Sequence, residues 1–161
     1  NRLVKAKFLL ERLQEGKTVA LVSDAGMPGI LDPGYNLINA AIEHKIPITV
    51  IPGPTAFVNA LVLSGKPAHN FIFEGFLPPR SQARRNRLAE LAKLKRTVIF
   101  YESCHRILAT LDDLEAVLGD KQLVVARELT KKFEEIKRGS AKAIKEEFKK
   151  SLPRGEFVVI I

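Results

Sequence analysis

Three stretches of the chain combine residue types able to bind or transform a small molecule. The first, SDAGMPGILDPG (Ser23–Gly34), holds three glycines, two prolines and two aspartates in twelve residues. The second is PGPTA (Pro52–Ala56), and the third is ESCHR (Glu102–Arg106). Glycine lets a ligand approach the backbone closely. Proline fixes a loop in advance, so less entropy is lost on binding. Asp24 and Asp32 can accept hydrogen bonds from hydroxyl or ammonium groups, or can cap the turns that follow them. No lysine or arginine lies within 23–34, and neither GxxxxGK[ST] nor GxGxxG occurs in the chain. The first loop therefore suits a neutral or cationic small molecule better than a nucleotide phosphate. For proton transfer the candidates are Glu102, His105, Glu128 and Lys131. Each also has a structural reading. His105 fits a helix start, Glu102 can pair with Arg106 four residues on, and Glu128 and Lys131 can belong to the scaffold.

These loops need elements to position them. TVALVS and PITVIP are short, continuous apolar runs, the pattern of strands buried on both faces. RLVKAKFLLERLQEG places Leu3, Phe8, Leu10 and Leu13 at roughly helical spacing and stops at Gly16. YNLINAAIEHK turns Leu37, Ile38, Ala41 and Ile42 inward, and GPTAFVNALVLSG continues from a turn into a helix ending at Gly65. Such alternation predicts a parallel sheet covered by helices. KPAHN (66–70) reads as a linker between a first α/β region, 1–70, and a second, 71–161. In the second, FIFEGF, RTVIFYES, QLVVARE and GEFVVII are predicted strands, and FEEIKRG is a strand or extended loop. SQARRNRLAELAKL, HRILATLDDLEAVLG and SAKAIKEEFKK are predicted helices, the last with Ser140 as N-cap. The fold class is thus α/β in two parts, the second with a mixed sheet. Ligands of open α/β sheets sit at the carboxyl ends of strands, where all three loops fall.

Composition narrows the function. The 161 residues are 46% hydrophobic and 27% charged, ordinary for a packed soluble protein. No apolar run approaches a membrane span, and no signal peptide is visible. Cys104 is the single cysteine and three histidines are scattered, so neither a disulfide within the chain nor a zinc site is expected. The net charge is +8, and most of it is local: residues 71–161 carry +6, as do residues 80–96 alone. Arg80, Arg84 and Arg87 fall at i, i+4 and i+7, one face of a helix starting near Pro79, with Arg85 beside it. A polyanionic partner is expected to meet this segment, and a merely solvated helix face is the alternative.

VALVSDAGMPGILDPGY, IPGPTA, FIFEGFLP, RTVIFYESCHR and VVARELTKKFEEIKRG occur in this order and span essentially the whole chain. Together they closely resemble the small-subunit ribosomal RNA methyltransferase I group of the tetrapyrrole methylase superfamily. The resemblance implies 2′-O-methylation of a cytidine in 16S rRNA of the small ribosomal subunit. It implies S-adenosyl-L-methionine as cofactor, two α/β domains with the cofactor in the cleft between them, a homodimer and a cytoplasmic location. It assigns Ser23, Asp24, Ala25 and Gly26 to one cofactor loop and Pro52, Gly53, Pro54, Thr55 and Ala56 to another. Tyr101, Glu102 and Ala126 then border the cleft from strands of the second domain. Arg80, Arg84, Arg85 and Arg87 become contacts to the RNA backbone, which position RNA without reading its sequence. Two residues depart from the family pattern: Met27 stands where threonine is usual, and Cys104 where proline is. The family's N-terminal strand, with its PIGN-type loop, is missing from this sequence. The chain begins on a helix and is expected to be a fragment, inactive alone, with part of the site elsewhere. Two other readings stay open: methylation of a small tetrapyrrole or protein side chain, and a non-enzymatic RNA-binding module.

Overall fold

The computed structural model describes residues 2–151 and 153–161, with side chains from Lys7 onward, so the side chain of Leu3 lies outside the described residues. Two compact units are present, 1–55 and 56–161.

The first unit contains helices α1 (Arg2–Gln14) and α2 (Tyr35–Glu43), which pack on each other. Gly34 precedes α2 at φ 146°, and a Cβ there would come within 2.6 Å of Leu21 Cδ2, so the entry to this helix needs a glycine. Ala41 is buried, but Ile42, predicted to point inward, is 60% exposed. TVALVS and PITVIP, predicted as parallel strands, carry no hydrogen-bonded ladder: every strand among the described residues lies from Phe71 onward. A strand persists only where a neighbouring backbone takes its N–H and C=O groups. No such neighbour is found here among the described residues. Val22 is 81% exposed and Ile51 85%.

The second unit follows its predicted pattern closely. It runs α3 (Ala56–Ser64), β1 (Phe71–Phe76), α4 (Ser81–Ala92), β2 (Thr97–Ser103), α5 (Ile107–Leu118), β3 (Gln122–Arg127), β4 (Glu135–Ser140), α6 (Ala141–Lys150) and β5 (Glu156–Ile160). FEEIKRG thus supplies a true strand. The sheet has the order β1-β2-β5-β3-β4, with β1 and β2 parallel and the remaining pairs antiparallel. The Ser140 hydroxyl caps α6 by accepting from the Ala143 N–H at 3.3 Å.

Residue alternation along the strands builds two cores. On one face Val98, Phe100, Val125, Phe157 and Val159 meet Leu88 and Leu91 of α4, Leu111 and Leu114 of α5, and Phe148 of α6. On the other face Ile99, Val124, Ala126, Val158 and Ile160 meet Ala60 and Leu61 of α3. Full burial stabilises each such large side chain by roughly 1.5–3 kcal/mol. The helix α3, grouped by sequence with residues 1–70, therefore packs on the sheet of the second unit. KPAHN is also tied to that unit: Lys66 Nζ donates to the Gln122 carbonyl at 2.7 Å, and Thr97 Oγ1 donates to the Pro67 carbonyl at 2.8 Å.

Candidate active site

In the first unit the two Gly/Pro loops come together. A Cβ on Gly26 would lie 3.7 Å from the Pro54 carbonyl oxygen, and one on Gly53 would lie 3.3 Å from Met27 Sδ. Glycine at both positions lets the loop backbones approach closely. The Ser23 hydroxyl lies within donating distance of the Ala25 carbonyl, 3.2 Å, and the Gly26 carbonyl, 3.3 Å. Gly26 and Gly29 both have positive φ, 77° and 84°. Asp24, Ala25 and Gly26 are exposed, as are Pro52 and Pro54, while Gly53 and Thr55 are half-buried and Ala56 opens α3. Met27 has a plain role: its sulfur packs on Gly53, a contact that needs no hydroxyl.

In the second unit the candidates lie around the carboxyl ends of β2 and β3. Tyr101 on β2 pairs with Val158 on β5, which pairs with Ala126 on β3, so the three form one row on one face of the sheet. Tyr101 is half-buried, and burial pushes its phenol above the usual tyrosine value. Around it stands an aromatic group that sequence reasoning missed. Phe57 stacks on Phe73 at 4.1 Å between ring centroids, and Phe73 and Phe76 meet Tyr101 edge-on at 5.1 and 5.8 Å. A register shift between Phe73 and Gly75 inserts one residue into β1 and turns Phe76 to the same face as Phe73. The signal was present in FIFEGF, where a glycine interrupts strict alternation. Phe76 stays 55% exposed. Such a partly wet aromatic wall can receive a flat ring.

The Glu102 side chain points the other way, into the core. It is 2% exposed and faces α5. Its carboxylate accepts from Thr110 Oγ1 at 2.7 Å and from the Ser103 N–H at 2.8 Å, and it lies 3.2 Å from Arg106 Nη2. Arg106 also donates to the Leu77 carbonyl at 2.9 Å. A carboxylate so satisfied ties β2, α5 and the β1–α4 loop together, through the pairing with Arg106 that the sequence also offered. Cys104, half-buried, packs against the same core. His105 is exposed.

Glu128 and Lys131 form a clasp. Glu128 has φ 48°. Its carboxylate accepts from the Glu156 N–H at 3.0 Å and from Lys131 Nζ at 3.0 Å, and Lys131 also reaches Glu156 at 3.2 Å. The Glu156 N–H and then the Lys131 ammonium hold the Glu128 carboxyl below the usual range. The carboxylates of Glu128 and then Glu156 raise Lys131. Lys131 is therefore a fixed cation and a poor base. Beside it, Lys132 lies over the exposed ring of Phe133 at 5.6 Å.

The arginines of α4 are less available than their spacing suggested. Arg84 is 3% exposed, and its Nε donates to Asp113 Oδ2 at 2.7 Å. Arg85 Nε donates to the other oxygen of Asp113 at 2.6 Å, where Ser81 Oγ also donates at 2.8 Å. Arg87 grips Glu74 through two hydrogen bonds, 2.6 and 2.9 Å, and reaches Glu90 at 2.9 Å. Arg84 thus belongs to the core as the partner of Asp113, not to a surface face. Arg85 and Arg87 keep partly exposed side chains, and Arg80 is exposed at the N-cap.

Among the described residues, no three His, Cys, Asp or Glu side chains are grouped to hold a metal ion, and no helix is long and apolar enough to cross a membrane. The sequence profile for Tetrapyrrole (Corrin/Porphyrin) Methylases matches residues 3–145. The ribosomal RNA small subunit methyltransferase I of Thermotoga maritima is 44% identical over 161 residues, covering 100% of this chain and 72% of the relative. Against seven further relatives of the same name the chain spans only 48–58% of their length. Among solved structures, the methyltransferase CobJ aligns with a TM-score of 0.70 at 24% identity, over 99% of this chain and 70% of its own. A uroporphyrin-III C-methyltransferase from Thermus thermophilus, complexed with S-adenosylhomocysteine, aligns with a TM-score of 0.59 at 14% identity, over 99% and 73%.

Proposed function

We propose, for a chain that belongs to the tetrapyrrole (corrin/porphyrin) methylase family, that it forms part of an enzyme methylating the 2′-oxygen of a cytidine in 16S rRNA of the small ribosomal subunit. Its 44% identity over its whole length to a ribosomal RNA small subunit methyltransferase I carries this reading, and the meeting of its two Gly/Pro loops supports it. Under this reading residues 1–70 belong to the first family domain and 71–161 to the second, and the enzyme works as a cytoplasmic homodimer.

The cofactor is S-adenosyl-L-methionine, which supplies a methyl group on a sulfonium. The first loop fits such a ligand, since 23–34 contains no lysine or arginine and presents the exposed Asp24 carboxylate. Ser23–Gly26 and Pro52–Ala56 bind the cofactor, largely through backbone brought close by Gly26 and Gly53. Within the second unit, Tyr101 and the small side chain of Ala126 are further cofactor contacts, and Phe76 offers a face for a planar ring. Bound there, the cofactor would supply its sulfonium methyl to the ribose 2′-oxygen, with the thioether as leaving group and the hydroxyl proton passing to solvent or a base. Positioning is the main contribution of the protein. Lys131, held cationic by Glu128 and Glu156, stabilises negative charge on a nearby oxygen, and His105 is the exposed candidate for the proton. Arg80, Arg85 and Arg87 meet the RNA backbone, while Arg84 holds their helix through Asp113.

The test incubates the full-length enzyme with radiolabelled cofactor and small ribosomal subunits lacking the modification. Label is expected on one cytidine ribose of 16S rRNA. Label on a base or on protein overturns the reading.

A further inference from the structure

The pairing of the α4 arginines leaves open where the positive charge of the second unit is free to act. Residues 71–161 carry +6, and Arg84, Arg85 and Arg87 share part of that charge with Asp113, Glu74 and Glu90, although Arg85 and Arg87 stay partly exposed. A different group of cations lines a cavity of about 360 Å³ at the opposite end of the sheet from Tyr101. There β1, β2 and β3 begin, roughly 20 Å from the carboxyl end of β2 at the rise of an extended chain. Lys66, His69, Lys95, Arg96, Thr97 and Lys121 contribute to its wall, and no aspartate or glutamate does. Among the described residues none of Lys66, Lys95, Arg96 and Lys121 is held in an ion pair.

Two residues of this wall are constrained. Lys66 is tied to the Gln122 carbonyl by one ammonium donor at 2.7 Å, which leaves two donors free. Burial, and then the charge of Lys121, push the Lys66 ammonium below the usual lysine value. Lys95 has φ 49°, a left-handed conformation at the end of α4 that glycine adopts without strain. A concavity with four unpaired cations and no carboxylate in its wall is complementary to an anion carrying several oxygens.

We infer that this cavity is a phosphate-binding site that grips the RNA backbone at a second point, away from the methyl-transfer end of the sheet. The identity of the anion rests on the ribosomal RNA reading above. Two grips far apart hold a large, folded substrate in one orientation, which a single patch cannot do.

The test measures binding of small ribosomal subunits lacking the modification to the full-length enzyme, as a function of salt. Variants are Lys95→Gly, Arg96→Gln and Lys121→Gln, with Lys93→Gln as a control of equal charge change outside the cavity. Each cavity variant is expected to lower the slope of log affinity against log salt by about 0.7–0.9 and to weaken binding about tenfold at moderate salt. Lys95→Gly should do so with its melting temperature unchanged or raised, which a merely structural lysine would not. The heat of S-adenosyl-L-methionine binding should match the parent enzyme. Unchanged slopes in the cavity variants, with the parent enzyme still methylating RNA, overturn the site and leave the proposed function standing. An equal loss in Lys93→Gln shows a net-charge effect and also overturns it. A parent enzyme that neither binds nor methylates the subunits overturns both.

Discussion

Glu128 and Lys131 show how little a residue type says before its partners are known. In sequence both were candidates for proton transfer, yet in the fold each is the other's counter-ion. Their titrations lock the loop after β3 across neutral pH. The lowered carboxyl of Glu128 contributes stability above its unfolded value of about 4.3, and loses it as pH falls through the lower folded value. The raised ammonium of Lys131 contributes fully below about 10.4 and loses it as pH rises through the higher folded value. The protection factors of the amides of residues 128–134 in the full-length enzyme, each exchange rate taken relative to the intrinsic rate at the same pH, should therefore stay flat between these limits and fall beyond either. Lys131→Gln should raise exchange several-fold at pH 7. Glu102 carries the same lesson. Its pairing with Arg106 was legible four residues on, but the Thr110 hydrogen bond that completes its shell comes from a helix packed against the strand. No spacing rule displays such a contact.

At the scale of elements, the sequence was readable where apolar periodicity and pairing partners coincide. The strands and helices of 71–161 were legible, including the Ser140 cap, because each apolar stripe finds a surface within the same unit. TVALVS and PITVIP have strand composition without a ladder, since strand character belongs to a pair and not to a segment. On α4 the spacing of Arg80, Arg84 and Arg87 was read as one exposed face, but Leu88 and Leu91 set the buried face and draw Arg84 into it. What the sequence could not show is that Asp113, from α5, waits there. Burial would raise the Asp113 carboxyl, but hydrogen bonds from Arg85, Ser81 and Arg84 outweigh it and hold it low. Asp113→Ala should destabilise the fold by about 3–5 kcal/mol in urea unfolding, because it leaves a buried guanidinium without its anion. The combined Arg84→Met, Asp113→Leu variant should lose much less. In the parent protein the contribution of Asp113 is present above the unfolded carboxyl value and fades as pH falls through the lower folded one.

For the whole molecule, the resemblance of five ordered motifs carried the family assignment, and composition carried only the presence of excess positive charge. The location of that charge needed the fold. The two units also differ in self-sufficiency. The second buries two cores around one sheet, whereas the first exposes Val22 and Ile51 on extended segments. Limited proteolysis of the 161-residue chain should cut first within 17–33 or 46–55 and leave 56–161 as the resistant product, read by mass spectrometry.

The position of β5 sets a timetable. It comes after the other four strands in sequence, among the described residues, yet it lies in the middle of the sheet, hydrogen-bonded to β2 on one side and β3 on the other. Until Glu156–Ile160 has been made, β1–β2 and β3–β4 are two half-sheets with nothing between them. As the nascent chain leaves the ribosome, the second unit therefore cannot close strand by strand and must wait for its keystone.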